Sequence, residues 1–143
     1  MDLEKIIVIC FKPKGYSNQT YKIIEKTRPH VSSGDCMILS ASYSKCVNLA
    51  KDIRKSFNIP HIELIPIFDF DLNRTLNPKE FNSIISQKKY RSLIILVHTK
   101  KVQDIYKIFS NKFYNQNITI TKPNVGDVFV FDTVNQIIQS FTS

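Results

Sequence analysis

The sequence predicts an α/β domain built as a three-layer sandwich, with helices on both faces of a mostly parallel sheet. Short β-branched runs alternate with helical apolar periods along the 143 residues, and with right-handed crossovers this alternation is typical of that architecture. No repeat or linker interrupts the pattern. Because a hydrophobic content of 43% suffices for one core, we expect residues 1–143 to form a single domain.

The first predicted strand runs from Lys5 to Phe11 and is a continuous, mostly β-branched run. Such a run is typical of a central strand that is buried on both faces of a parallel sheet. Pro13 and Gly15 break the loop 12–17 that follows, and a helix with a modest apolar face then ends before Pro29.

The clearest predicted helix begins at Ser42, after a second buried strand from Cys36 to Leu39. Its apolar residues recur with the i, i+3, i+4, i+7 spacing of one buried face. They are Cys46, Leu49, Ala50, Ile53 and Phe57. A third strand is predicted from Ile62 to Phe68, and the polar loop 69–75 follows it.

The alternation continues in the second half of the chain. Asn77-Pro78-Lys79-Glu80 has the form of a helix start, with an N-cap residue, a first-turn proline and an acid at the capping-box position. This helix should continue through Ile85, and Leu93 to Val97 is the fourth strand. A helical spacing follows it in Val102, Ile105, Tyr106, Phe109 and Phe113.

The C-terminal segment predicts one more strand and one more helix. The strand covers Asp127 to Phe131, a run of apolar residues after an acid. The residues after it share a helical spacing, and they are Val134, Ile137, Ile138 and Phe141.

The composition excludes several functional classes. Three scattered glycines cannot build the clustered-glycine loops that hold nucleotides. Cys10, Cys36 and Cys46 are odd in number and lack a C-x-x-C pair, which excludes a disulfide framework and a zinc site. The longest apolar run, Leu93 to Val97, is far shorter than the roughly 18 residues of a membrane span. We therefore expect a cytoplasmic chain without a metal or another cofactor.

A candidate site lies where the predicted strands end. A net charge of +8 favours an anionic partner, and in open α/β sheets ligands bind beyond the carboxyl ends of the strands. The residues there are Cys10, Lys12, Lys14, Ser40, Ser42, Ser44, Lys45, Asp69, Asp71, His98, Thr99, Lys100 and Lys101. Two interpretations stay open, because these lysines could equally lie in solvated loops while His98 caps the helix after it.

The first strand resembles that of the histidine phosphatase superfamily, which has the phosphoglycerate-mutase-like fold. Within it, the chain is most similar to the small bacterial phosphohistidine phosphatases, whose first strand ends in Arg-His-Gly with the phosphate-accepting histidine. The matching segment here is Val8-Ile9-Cys10-Phe11, so Ile9 replaces the arginine, Cys10 the histidine and Phe11 the glycine. The resemblance implies the fold with a degenerate active site.

Three further segments carry the resemblance. Lys45 stands where the family has a phosphate-binding arginine, and it keeps the charge but not the two-pronged donor. His98 ends the fourth strand as a second phosphate-contacting histidine does in the family. Asp69 or Asp71 corresponds to the family's acid, and the segment 125–132 resembles its closing antiparallel edge strand.

The sequence thus favours a pseudophosphatase that binds a phosphate-bearing ligand, another anion or a protein partner in a regulatory role. The expected anion ligands are Lys12, Lys14, Ser42, Lys45 and His98, and Asp69 is the candidate acid. The alternative is an active phosphohydrolase that uses Cys10 or His98 as a replaced nucleophile, since a thiolate near a lysine and a helix N-terminus has a lowered pKa. The arginine that tyrosine phosphatases place six residues after their cysteine is Tyr16 here.

Nonspecific nucleic-acid binding is a second alternative, because an isoelectric point near 9.4 suits a phosphate backbone. Its contact patch would consist of Lys88, Lys89, Arg91 and the pair Lys100-Lys101. The chain shows neither a recognition helix nor a zinc finger, so nucleic acid is the less favoured partner.

Overall fold

A computed structural model describes residues 3–11, 20–31, 34–69, 76–87, 89–110 and 126–141. Several predicted features lie outside these ranges. They are the loop after the first strand with Lys12 and Lys14, most of the polar loop with Asp71, Lys88 of the basic patch, and Phe113.

The described residues form one six-stranded sheet. Its strands are β1 (Lys5–Phe11), β2 (Cys36–Ser40), β3 (Ile62–Leu64), β4 (Ser92–His98), β5 (Val128–Asp132) and β6 (Ile137–Phe141). They lie in the order β3-β2-β4-β1-β5-β6, with β1 to β4 parallel and with antiparallel β1–β5 and β5–β6 pairs. The prediction that β1 is an interior strand is confirmed, because it pairs on both sides and Ile7 to Cys10 are fully buried.

Four helices within the described ranges cover the sheet. They are α1 (Thr20–Thr27), α2 (Ser44–Phe57), α3 (Pro78–Ser86) and α4 (Thr99–Ser110). Helix α1 contacts α2 and β5, whereas α4 contacts β1 and β4. The Leu76 amide before α3 donates to the Asp104 carboxylate of α4 at 3.1 Å, which brings these two helices together. Right-handed crossovers then put α1 and α2 on one face and α3 and α4 on the other, as predicted.

The third strand is shorter than predicted. Strand β3 ends at Leu64, and Pro66–Phe68 forms a 3-10 turn in which the Phe68 amide donates to the Ile65 carbonyl at 3.0 Å. A proline has no amide to donate to a neighbouring strand, so the ladder stops at Pro66 although the apolar run continues. Phe68 is instead fully buried and packs on Phe81 of α3, with 6.2 Å between ring centroids.

The predicted C-terminal helix is wrong, because residues 137–141 form strand β6. Asp132 closes the turn before it, since its carboxylate accepts the amides of Val134 and Asn135 at 3.0 Å each. Strand β6 then pairs with β5, which lies inside the sheet, so the edge position expected for β5 belongs to β6. The helical spacing of four apolar residues is a local pattern. In the folded protein it is outweighed by the backbone hydrogen bonds that this segment forms with the open edge of β5.

Candidate functional site

The carboxyl ends of β1, β2 and β4 meet at one edge of the sheet, called the rim below. Phe11 lies opposite His98, Cys10 opposite Val97, and Ser40 opposite Leu96. Parallel strands end on the same side, so Cys10 and His98 lie near the ends of neighbouring strands, offset by one residue in register.

Cys10 is fully buried at the rim. Its amide donates to the carbonyl of Asp127 at 3.0 Å, and its own carbonyl accepts the amide of Gly126 at 2.9 Å. Burial raises the pKa of the Cys10 thiol well above its usual value, and the negative charge of Asp127 raises it further. Burial in the core and the negative charge of Asp127 thus shift the pKa in the direction opposite to the one expected for a nucleophile.

His98 caps helix α4 and has 7% of its surface exposed. Its Nδ1 accepts the amide of Lys100 at 3.1 Å, which satisfies one of the amides left open at the helix start. In the neutral imidazole the proton then belongs to Nε2. His98 is therefore oriented as a hydrogen-bond donor through Nε2, and its ring lies edge-on to Tyr43 with 6.4 Å between centroids.

A carboxylate meets the start of helix α2. The N-cap residue Tyr43 provides no side-chain cap, and the first turn holds no acid. Immediately before it, the Ser42 amide donates to Oδ1 of Asp69 at 2.6 Å, and the Ser42 hydroxyl donates to Oδ2 of the same carboxylate. Asp69 thus places its negative charge where the helix N-terminus favours an anion, and it uses the two donors of Ser42 that were predicted for an external ligand.

The other hydroxyls of the second rim segment differ in access. Ser40 is fully buried, donates to the Ala41 carbonyl at 2.8 Å and contacts the Cys46 sulfur at 3.4 Å. Burial raises the pKa of the Cys46 thiol to about 11. Ser44 and Lys45, by contrast, are exposed. Of this segment, Lys45 is the cation that remains accessible to an anion at the rim.

Two charged residues at the rim are buried, which was not predicted from the sequence. Asp127 is 3% exposed at the start of β5, and Lys101 is 2% exposed in the first turn of α4. The burial of the lysine could have been predicted from the helical spacing of Lys101, Ile105 and Ile108, which share the buried face of α4. For Asp127, the sequence gives one indication of burial, because this acid directly precedes a run of apolar residues that forms a strand.

The basic patch predicted for nucleic acid is reduced in the described part of the chain. Arg91 is paired with Glu4 at 3.0 Å, and Lys101 is buried. Lys89 and Lys100 remain exposed. Two exposed lysines are far fewer than the roughly six to ten phosphate contacts that a protein makes in a tight, salt-sensitive complex with DNA.

Solved structures that share the fold of this chain include two histidine phosphatases. A protein from Agrobacterium tumefaciens assigned as the phosphohistidine phosphatase SixA has a TM-score of 0.62 at 12% identity, covering 99% of this chain and 97% of that chain. A protein histidine phosphatase SixA complexed with tungstate has a TM-score of 0.58 at 9% identity, covering 96% and 94%. The chain therefore has the phosphoglycerate-mutase-like fold of the histidine phosphatases, as the sequence resemblance predicted.

No protein-family model and no curated protein sequence matches the chain. Among the described residues, no helix combines the length and the apolar character that a membrane crossing requires.

Proposed function

We propose that this chain is a pseudophosphatase, which uses a histidine phosphatase fold to bind a phosphate-bearing or other anionic ligand in a regulatory role. The observation that supports this most directly is the end of β1. Cys10 is buried beside Asp127 with a raised pKa, and Ile9, where the resemblance expects an arginine, is an apolar side chain with no exposed surface.

Phosphoryl transfer needs an accessible nucleophile and cations around the transferred group. Removal of one such donor typically costs about 3–4 kcal/mol of transition-state stabilisation. The strand end at Ile9 and Cys10 provides neither group, because both side chains have no exposed surface.

The tautomer of His98 is also unsuited to nucleophilic attack. Its Nδ1 accepts the Lys100 amide, so the neutral ring carries its proton on Nε2 and has no lone pair there. Such a nitrogen donates a hydrogen bond to an oxyanion instead of attacking it. The proposal therefore assigns His98 a binding role, together with Lys45.

The expected anion site consists of the Lys45 ammonium and the Nε2 proton of His98, with Lys12 and Lys14 as further proposed ligands. Asp69 competes with the anion, because its carboxylate already occupies the donors of Ser42. We expect weak, salt-sensitive binding for this reason. The tungstate in one structure of the same fold makes this oxyanion a suitable probe.

The test compares hydrolysis and binding in the full chain. We expect no hydrolysis of a generic phosphomonoester, and a calorimetric isotherm for millimolar tungstate or phosphate that is lost in Lys45→Ala. The matched control is Lys22→Ala, which removes an exposed lysine from helix α1 and should retain binding.

Two results would overturn the proposal. One is the absence of binding in both the native chain and Asp69→Asn. The other is phosphomonoester hydrolysis that disappears in Cys10→Ser or His98→Ala, which would establish the phosphohydrolase alternative.

A further inference from the structure

A second cationic groove, here called the α2 groove, lies on the outer side of the C-terminal half of α2. Its walls are the exposed face of this helix and the segment Pro60–Ile62 that leads into β3. The groove has a volume of about 440 Å³, within the usual range for small-ligand sites. Because β3 begins there, the α2 groove lies at the amino end of the sheet, opposite the rim.

Three cations line the groove without any partner in the described part of the protein. Lys51, Arg54 and Lys55 are all exposed, and none of them forms an ion pair or a side-chain hydrogen bond with a described residue. The other two arginines among the described residues are paired, Arg28 with Glu25 at 3.2 Å and Arg91 with Glu4 at 3.0 Å. Among the described residues of the lining, Asp52 is the single acid, so three positive charges face one negative charge there.

The spacing of these cations brings their charges together. Residues 51, 54 and 55 are three and four positions apart, so they share one helix face and repel one another. The negative end of the helix dipole favours Arg54 and Lys55, which lie in the last turn. It does not account for Lys51, which lies before that turn. A bound anion would relieve the repulsion among all three.

We propose that the α2 groove binds a compact polyanion with two or more linked phosphate groups. The planar guanidinium of Arg54 matches two phosphate oxygens at once, while Lys51 and Lys55 add point charges beside it. His61, exposed in the wall of the groove, adds a ring nitrogen that can donate to a phosphate oxygen.

The lining of the groove favours phosphate groups over nucleobases. The described residues of the lining include no phenylalanine, tyrosine or tryptophan on which a base could stack. Recognition would then depend on linked negative charges in a small volume. This inference is independent of the proposed function at the rim.

The experiment measures binding of inorganic tripolyphosphate to the full chain by calorimetry at low ionic strength. We expect Arg54→Ala and Lys51→Ala each to weaken binding about tenfold, as the loss of one charge-assisted contact does. Lys22→Ala should change affinity less than about twofold, because screening weakens distant surface charges. Arg54→Lys keeps the positive charge, but it should still weaken binding because a lysine ammonium cannot donate two parallel hydrogen bonds to a phosphate group.

Several outcomes would overturn the proposal. They are the absence of tripolyphosphate binding, an equal loss in Lys22→Ala, and tighter binding of a duplex DNA than of tripolyphosphate at matched phosphate concentration. Lys45→Ala, which removes the rim cation, should affect only the weak binding proposed at the rim and leave the tighter, Arg54-dependent phase of tripolyphosphate binding unchanged. Thermal melting of each variant verifies that it folds.

Discussion

Polar side chains at the rim are bonded to the protein itself. Asp69 accepts both donors of Ser42, and His98 accepts the Lys100 amide with Nδ1. Both partners of this contact are anchored by a buried neighbour in the chain. Phe68, which precedes Asp69, and Ala41, which precedes Ser42, are both fully buried. An external anion therefore meets a site that is partly occupied by an internal one.

Neutralising Asp69 should strengthen binding at the rim. In Asp69→Asn the negative charge beside Ser42 is removed, and we expect the affinity for tungstate to rise about threefold to tenfold, allowing for the screening of a partly exposed charge. Calorimetric titration in parallel with the native chain measures the change.

The control for this variant is Asp52→Asn, which removes an exposed carboxylate from the α2 groove, far from the rim. The part of the tungstate binding that is lost in Lys45→Ala should be unchanged in Asp52→Asn. An unchanged or weaker affinity in Asp69→Asn would contradict the role of Asp69 as a competing anion.

At the level of secondary structure, local apolar patterns predicted the elements that carry a long helical period or a continuous apolar run. The spacing of apolar residues in α2 and the continuous run of β4 both gave elements of the right type, and α2 differs from its prediction only by starting at Ser44 instead of Ser42. The C-terminal hairpin was not predictable in this way, because its strand β6 depends on the edge of β5 and on the turn that Asp132 closes.

The Asp132 turn should make the hairpin sensitive to acid. Burial alone would raise the pKa of Asp132, but hydrogen bonds from the amide and side chain of Asn135 and the amide of Val134 hold it below its usual value of 3.8. A lowered folded-state pKa stabilises the protein above the unfolded value, and this contribution is lost as the pH falls through the folded value.

Asp132→Asn should therefore lower the free energy of unfolding by about 1 kcal/mol at pH 6, the typical worth of such hydrogen bonds. The difference from the native chain should shrink as the pH falls below 3.8. Urea unfolding over a pH series measures it, with Asp52→Asn as an exposed control. A difference that stays constant with pH would show that the charge of Asp132 contributes nothing.

For the whole molecule, stability depends on the interior position of β1. This strand joins the parallel part of the sheet to the antiparallel pair, since it bonds to β4 on one side and to β5 on the other. Helix α4 contacts both β1 and β4. A defect in β1 should consequently affect the entire sheet rather than one edge.

Ile7→Ala should destabilise the whole fold. Ile7 is fully buried in the middle of β1, so the cavity left by truncation should cost about 2–5 kcal/mol. Ile137→Ala is the matched control on edge strand β6, where the side chain is 37% exposed and the cost should be about 1 kcal/mol. Urea denaturation compares the two, and equal costs would contradict the central role of β1.

The sequence by itself determined the α/β class, the interior strand β1 and the loss of the Arg-His-Gly signature at Ile9 and Cys10, because periodicity and residue identity are local properties. Only the tertiary structure decided that Asp69 binds Ser42 and that Asp127 lies beside Cys10. Tertiary contact also replaced the expected C-terminal helix with β6. These features join residues that are far apart in the chain, and their energies come from burial and hydrogen bonds that form only when the sheet is assembled.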